Sequence, residues 1–268
     1  MITTDFTPGA VCWIDLGTPD VPAAASFYRA VFGWEFESMG EEDRPEGGMF
    51  RKDGRLVGGL GTHSEEGERP TWMLYYSVRD ADATTRDVER AGGTVRVAPR
   101  DLGEWGRMAQ YTDPSGGRFA VWQPGTGAGF ELVDKPGSLG WTELYTPDVE
   151  ASKDFYRAVF DWQYGDMPLP GGQGNYILVT PAGLSRERTQ GGFILLPPQY
   201  LTLSGGRPYW HPVFSHEDCD AAVAAVVANG GTVQMGPQEA GGVGRMAVCL
   251  DPWGADFVLL TPAGPASG

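Results

Sequence analysis

The chain has 268 residues, 41% of them hydrophobic and 21% charged, with a formal net charge of -15 and a pI near 4.5. So acidic a surface is repelled by phosphate backbones and anionic bilayers, so neither nucleic acid nor membrane is expected as a partner. No apolar run nears the ~20 residues needed to span a bilayer, the first residues lack a signal-peptide pattern, and three cysteines without metal-type spacing (Cys12, Cys219, Cys249) fit a reducing, cytoplasmic setting.

Residues 11–17, VCWIDLG, alternate as a half-buried strand does. Trp13, Asp15 and Gly17 share one face, and Cys12, Ile14 and Leu16 the other. Asp20 then stands where it caps a helix with Pro22 in the first turn. Ala24, Phe27, Tyr28 and Val31 form that helix's apolar stripe, and Gly33 ends it. WEFESM, GGMFRK and RLVGGLG follow as strands, the last two joined by an Asp-Gly hairpin turn. Next come a strand, TWMLYYSV, a helix, DADATTRDVERA, closed by Gly92-Gly93, and three strands, TVRVAP, GRMAQYTD and GRFAVWQP. A strand, a helix and three strands therefore occur twice in the first half.

The second half repeats the first. TPDVPAAASFYRAVFGWEFE from Thr18 returns as TPDVEASKDFYRAVFDWQYG from Thr146, pairing Trp13 with Trp141 and Tyr28 with Tyr156 at an offset of 128. Further on the offset is 138, pairing Gly106 with Gly244 and Asp113 with Asp251, so an insertion near PAGLSRERTQ absorbs ten residues. The chain is a tandem duplication of four βαβββ modules. The Pro- and Gly-rich join suggests a first domain over 1–125, a linker over 126–139, whose FELV is a candidate for packing, and a second domain over 140–263.

With its closing strings GRMAQYTDPSGGRFAVW and GRMAVCLDPWGADFVLL, this duplicated motif resembles the vicinal oxygen chelate superfamily of glyoxalase I, extradiol dioxygenases and bleomycin-resistance proteins. The tandem form looks like the two-domain members found in actinobacteria. The resemblance implies an α+β fold in which four βαβββ units form two glyoxalase/bleomycin-resistance-like domains, with curved mixed sheets around clefts. It also implies metal-ligand positions on the first and last strands of each module. Those positions are Trp13, Met73 and Ala120 in the first half and Trp141, His211 and Val258 in the second, with Val57–Gly58 and Gln190–Gly191 near the remaining ones. A divalent metal needs at least three suitable donors, so no metal and no other cofactor is expected.

Trp13 and Trp141 then read either as core filler or as flat walls for a planar ligand. Met73, Tyr75, Ala120, Trp122, Gln190 and Val258 complete the candidate ligand-binding set. Asp15 and Glu143, at equivalent positions, are candidate general bases or hydroxyl and cation binders, the alternative being structural pairing with Arg107 or Arg245. His211, alone of the three histidines at a ligand-type position, is either structural or an acid–base group opposite Glu143. Met108 and Met246 read best as core, and Cys12 as buried and inert. His63 and His216 belong to polar loops. No nucleophile triad, phosphate loop or dinucleotide fingerprint is present.

The functional expectation is a metal-independent protein, monomeric or homodimeric, that binds a small planar or hydrophobic molecule such as an antibiotic or metabolite. The alternative is a glyoxalase-like lyase or isomerase, or a hydroxylase-type tailoring enzyme, using Asp15 or Glu143 with His211.

Overall fold

The computed structural model describes residues 1–39, 46–62, 69–169, 171 and 174–264. His63 lies outside the described residues. The first half runs β1 (Val11–Thr18), α1 (Val21–Phe32), β2 (Glu35–Ser38), β3 (Gly47–Lys52), β4 (Arg55–Thr62), β5 (Trp72–Ser77), α2 (Ala81–Arg90), β6 (Thr94–Asp101), β7 (Gly106–Thr112) and β8 (Arg118–Pro124). The second runs β9 (Ser138–Thr146), α3 (Val149–Phe160), β10 (Gln163–Pro168), β11 (Asn175–Thr180), β12 (Gly191–Leu195), β13 (Tyr209–Ser215), α4 (Cys219–Ala228), β14 (Thr232–Ala240), β15 (Gly244–Leu250) and β16 (Asp256–Pro262). Each half makes one eight-stranded mixed sheet, ordered β2-β3-β4-β1-β5-β8-β7-β6 and β10-β11-β12-β9-β13-β16-β15-β14. The two orders match strand for strand, as the duplication requires.

The four α-helices among the described residues all begin behind an aspartate, at Asp20, Asp80, Asp148 and Asp218, whose carboxylate accepts from the backbone N–H three residues on. The C-terminal cap of α1 is Gly33 at φ 69°, and its copy in α3 is Asp161 at φ 54°. An acid tolerates that left-handed position better than most side chains, so the duplicate keeps the stop without glycine. Between β11 and β12 the chain makes a 3-10 turn at Arg186–Arg188, where the first half has only the Asp53-Gly54 turn between β3 and β4. The ten extra residues are split, however: Gly192 pairs with Glu143 as Gly59 pairs with Asp15, an offset of 133, so five of them precede β12 and five follow it before β13, where two further 3-10 turns lie.

By packing, the chain divides into two compact units that each take one module from either half. The first comprises Met1–Trp13, Met73–Gly129 and Trp141–Trp210. The second comprises Ile14–Trp72, Phe130–Gly140 and His211–Gly268. In the first, α2 lies against α3, and in the second α1 lies against α4. Each unit has an aromatic core. Tyr156 stacks on Trp162 and Phe160 and meets Trp210 edge-on in the first. Tyr28 stacks on Trp34 and Phe32 and meets Trp72 edge-on in the second. The join is packed rather than loose, with Phe130, Leu132 and Val133 buried and Glu131 accepting from the Leu56 N–H at 2.8 Å. β9 already begins at Ser138, inside the stretch read as linker. Among the described residues, no helix is long and apolar enough to cross a membrane.

Candidate functional site

The alternation read for the first strand is the one observed. On β1, Cys12, Ile14, Leu16 and Thr18 are buried, while Trp13, Asp15 and Gly17 are half-buried. In the first unit Trp13 joins a cluster built on buried Cys12, Tyr75, Met108 and Ala120, against which Phe6, Met73, Val97 and Trp122 also pack. All five first-half ligand candidates, Trp13, Met73, Tyr75, Ala120 and Trp122, thus come together. Parallel register sets Tyr75 beside Ala120. The Trp122 Nε1–H donates to the Gly127 carbonyl at 2.8 Å, which fixes the indole by its edge. Phe6 and Val97 were not legible in the sequence, since a residue before the first strand carries no periodic signal. Burial pushes the Cys12 thiol up, so it stays protonated and inert.

The second-half candidates divide between two arrangements. In the first unit the Trp141 Nε1–H donates to the Tyr176 hydroxyl at 2.6 Å, and that hydroxyl donates to Glu143 Oε1 at 2.9 Å. Glu143 is only 8% exposed and Tyr176 only 6%. The tyrosine reaches β9 from β11 because β12 between them carries Gly192, which pairs in register with both Glu143 and Leu178. A Cβ there would lie 2.0 Å from the Tyr176 ring. Burial, then the charge of Glu143, pushes the Tyr176 phenol well above its ordinary range, so it remains a hydrogen-bond donor. Gln190 is fully engaged by backbone: Oε1 accepts from the Val11 N–H at 2.7 Å, and Nε2 donates to the Gly9 carbonyl at 2.9 Å.

In the second unit His211 is fully buried, with Nδ1 3.1 Å from Asp256 Oδ2. Arg69 Nη2 donates to the other Asp256 oxygen at 2.7 Å, and its Nη1 donates to the Gly254 carbonyl at 2.7 Å. Val213 pairs with Val258 in parallel register, and stepping two residues back on both strands brings His211 beside Asp256. Burial alone would raise the Asp256 carboxyl, but the His211 imidazole beside it and the Arg69 charge hold it below the usual range. His211 and Glu143, paired in the enzyme reading of the sequence, each have a different partner here. Asp256 shares alternation with Val258, a signal the sequence carried, and Arg69 did not announce itself.

The arginines weighed as partners of Asp15 and Glu143 are committed elsewhere. Arg107 binds Asp82 in the first turn of α2 and Asp101 on β6, and Arg245 binds the equivalent Asp220 and Glu239. Both tie the closing strands to the helix beside them. The aspartate of each DPxG string is likewise structural. Asp113 Oδ1 accepts from the Ser115 and Gly117 N–H groups, and its Oδ2 accepts from Tyr156 Oη at 3.1 Å. Asp251 does the same with Trp253, Ala255 and Tyr28, the last at 3.2 Å. Each tyrosine of the duplicated helix therefore serves the turn of the other copy, within one unit.

A first-row metal does not fit the positions the superfamily uses. Trp13, Met73, Ala120, Trp141 and Val258 offer no hard donor, and Gln190 already uses both amide atoms on backbone. Among the described residues no three His, Cys, Asp or Glu side chains converge as a metal site.

Comparison with known proteins places this geometry in context. The profile of the Glyoxalase/Bleomycin resistance protein/Dioxygenase superfamily matches residues 11–121 and 138–259. The anthracycline biosynthesis protein DauV of Streptomyces sp. (strain C5) is 38% identical over 282 residues, covering 98% of either chain. The Mn(II)-bound glyoxalase from Novosphingobium aromaticivorans superposes with a TM-score of 0.62 at 20% identity, covering 94% of this chain and 82% of its own. The 2,3-dioxygenase LapB from Pseudomonas sp. KL28 superposes at 0.65 with 16% identity, covering 98% and 96%. At those identities the two structures share the fold alone.

Proposed function

This chain belongs to the Glyoxalase/Bleomycin resistance protein/Dioxygenase superfamily, and on that premise we propose that it binds a planar, largely apolar polycyclic molecule without a metal. One observation carries the reading. Where the superfamily places metal donors, the first unit has a half-buried wall of Trp13, Met73 and Trp122 over Tyr75 and Ala120. Flat rings gain offset stacking on such a wall beyond the area they bury, and thioether side chains adapt to ligands of differing outline. The likeness to an anthracycline biosynthesis protein along nearly the whole chain favours an aromatic polyketide as the ligand class.

The enzyme reading, a lyase, isomerase or hydroxylase-type activity, draws on the His211–Asp256 pair, an imidazole oriented by a carboxylate. With His211 at 0% exposure, proton exchange with a substrate would need that strand to open, so binding is the better-supported function.

The test is a fluorescence titration of the full-length protein with an anthracycline aglycone. Saturable quenching is expected. Trp13→Ala weakens binding roughly 5- to 150-fold, which is about 1–3 kcal/mol, while Trp13→Phe loses much less. Equal affinity for the wild type and Trp13→Ala would overturn the proposal.

A further inference from the structure

The two halves fill one row of their sheets differently. In the first, Tyr75 on β5, Ala120 on β8, Gln110 on β7 and Val97 on β6 stand opposite one another across four adjacent strands, all within the first compact unit. Residues directly opposite on neighbouring strands share a face, and Tyr75, Ala120 and Val97 all belong to the cluster of the Trp13 wall. Gln110 therefore stands on the wall's face. Its neighbours along β7 agree. Met108, two residues back, belongs to the same cluster, while Tyr111 lies on the other face and packs on Phe119 with ring centroids 5.4 Å apart. The copy of this row in the second half is Val213, Val258, Val248 and Met235, and each of the three valines is buried. That sheet closes in the same strand order with valine where the first has glutamine, so the fold itself does not require an amide there.

We infer that Gln110 sets the specificity of the Trp13 wall, its amide N–H donating to a ring carbonyl, a ketone or quinone oxygen, on the edge of the bound molecule; the inference rests on the reading of that wall as a binding surface. Two other donors of the cluster are already engaged. The Trp122 indole N–H is taken by the Gly127 carbonyl, and the Cys12 thiol by the Tyr75 carbonyl at 3.4 Å. Among the described residues no hydrogen bond holds the Gln110 side chain, which is half-buried and so still meets water. A flat hydrocarbon laid over the wall would strip that water from the amide and return nothing, which penalises it. A ligand with a carbonyl at that edge restores the bond, and a site built around such a group discriminates against the analogue lacking it. The amide is neutral, so it selects a carbonyl without drawing in anions or cations, and its own oxygen remains an acceptor for a hydroxyl beside that carbonyl. Trp13, Met73 and Trp122 supply flat apolar contact, and Gln110 supplies the polar atom that fixes which edge of the ligand faces β7.

The experiment compares 9-fluorenone with fluorene, planar molecules of one outline that differ in a single carbonyl, by equilibrium dialysis against the full-length protein. The quantity read is the ratio of the two affinities, which removes their common stacking on the wall. Gln110→Met keeps the length of the side chain and loses the amide, and the valine in the copy shows that this place in the fold accepts an apolar residue. It should lower the fluorenone-to-fluorene ratio about threefold to tenfold, the worth of one neutral hydrogen bond, with fluorene bound as well as before or better. Gln110→Glu puts an acceptor-only carboxylate against the carbonyl and should lower the ratio at least as far. Trp13→Ala should weaken both probes and leave the ratio unchanged. A ratio that survives both Gln110 substitutions while Trp13→Ala still weakens both probes would overturn the role of Gln110 and leave the wall standing. Failure of the wild type to bind either probe would overturn both readings together.

Discussion

Replacing Tyr156 by phenylalanine removes one oxygen and tests the logic of the duplication. In the folded chain that hydroxyl donates to Asp113 Oδ2 at 3.1 Å and accepts from the Trp210 Nε1–H at 2.8 Å, all of them buried. A hydrogen bond to a charged group is worth about 1.5–3 kcal/mol, and an orphaned buried donor costs about 1–3 kcal/mol. The two losses share one atom and do not add fully, so about 3 kcal/mol is expected. For a protein of this size that is a fall in Tm of roughly 6–12 °C. Urea unfolding at pH 7, followed by tryptophan fluorescence, reads it directly. The pH dependence has a definite sign. Burial holds the Asp113 carboxyl above its ordinary 3.8, against the lowering effects of its backbone and Tyr156 hydrogen bonds. A carboxyl raised on folding contributes stability that is present below 3.8 and lost as pH rises through its folded value. Losing the hydroxyl raises it further, so the penalty should be full at pH 7 and shrink on acidification toward 3.8. A Tyr156→Phe protein within about 0.5 kcal/mol of wild type at pH 7 would refute the reasoning, because surface-like substitutions stay in that range.

Asp256 titrates with the opposite sign. Held low by His211 and Arg69 despite its burial, it contributes stability present above 3.8 and lost as pH falls through its depressed folded value. Arg69→Met should therefore cost about 3 kcal/mol at pH 7 and flatten the acid limb of a Tm-against-pH curve; an unchanged acid limb would show that the guanidinium does not hold the carboxylate. Cutting the chain between Lys135 and Pro136 should separate α1 from α4 and α2 from α3, and leave Tyr28 and Tyr156 without Asp251 and Asp113. Each half expressed alone should lack a cooperative melt, while co-expressed halves should co-purify. A lone half that melts cooperatively would disprove this account of the core.

The sequence by itself determined the modules and their repetition. Aspartate caps, the alternation of β1 and the two offsets depend on neighbours a few residues away, and local chemistry writes them directly into the string. It also set which residues of each strand share a face, because alternation follows from the pleat, but not that Phe6 and Val97 would join Trp13, Met73 and Trp122. Only the tertiary structure decided who partners whom at long range. Whether Glu143 meets an arginine, a histidine or Tyr176 depends on a glycine at 192 that lets a ring cross β12, a contact 33 residues away in sequence. That Tyr28 serves Asp251 and Tyr156 serves Asp113 is invisible in either repeat read alone, since each string is self-consistent and its partner lies in the other copy. Pairings of that kind are settled by which buried polar groups find each other when helices from different halves pack, and burial leaves no water to stand in for a missing partner.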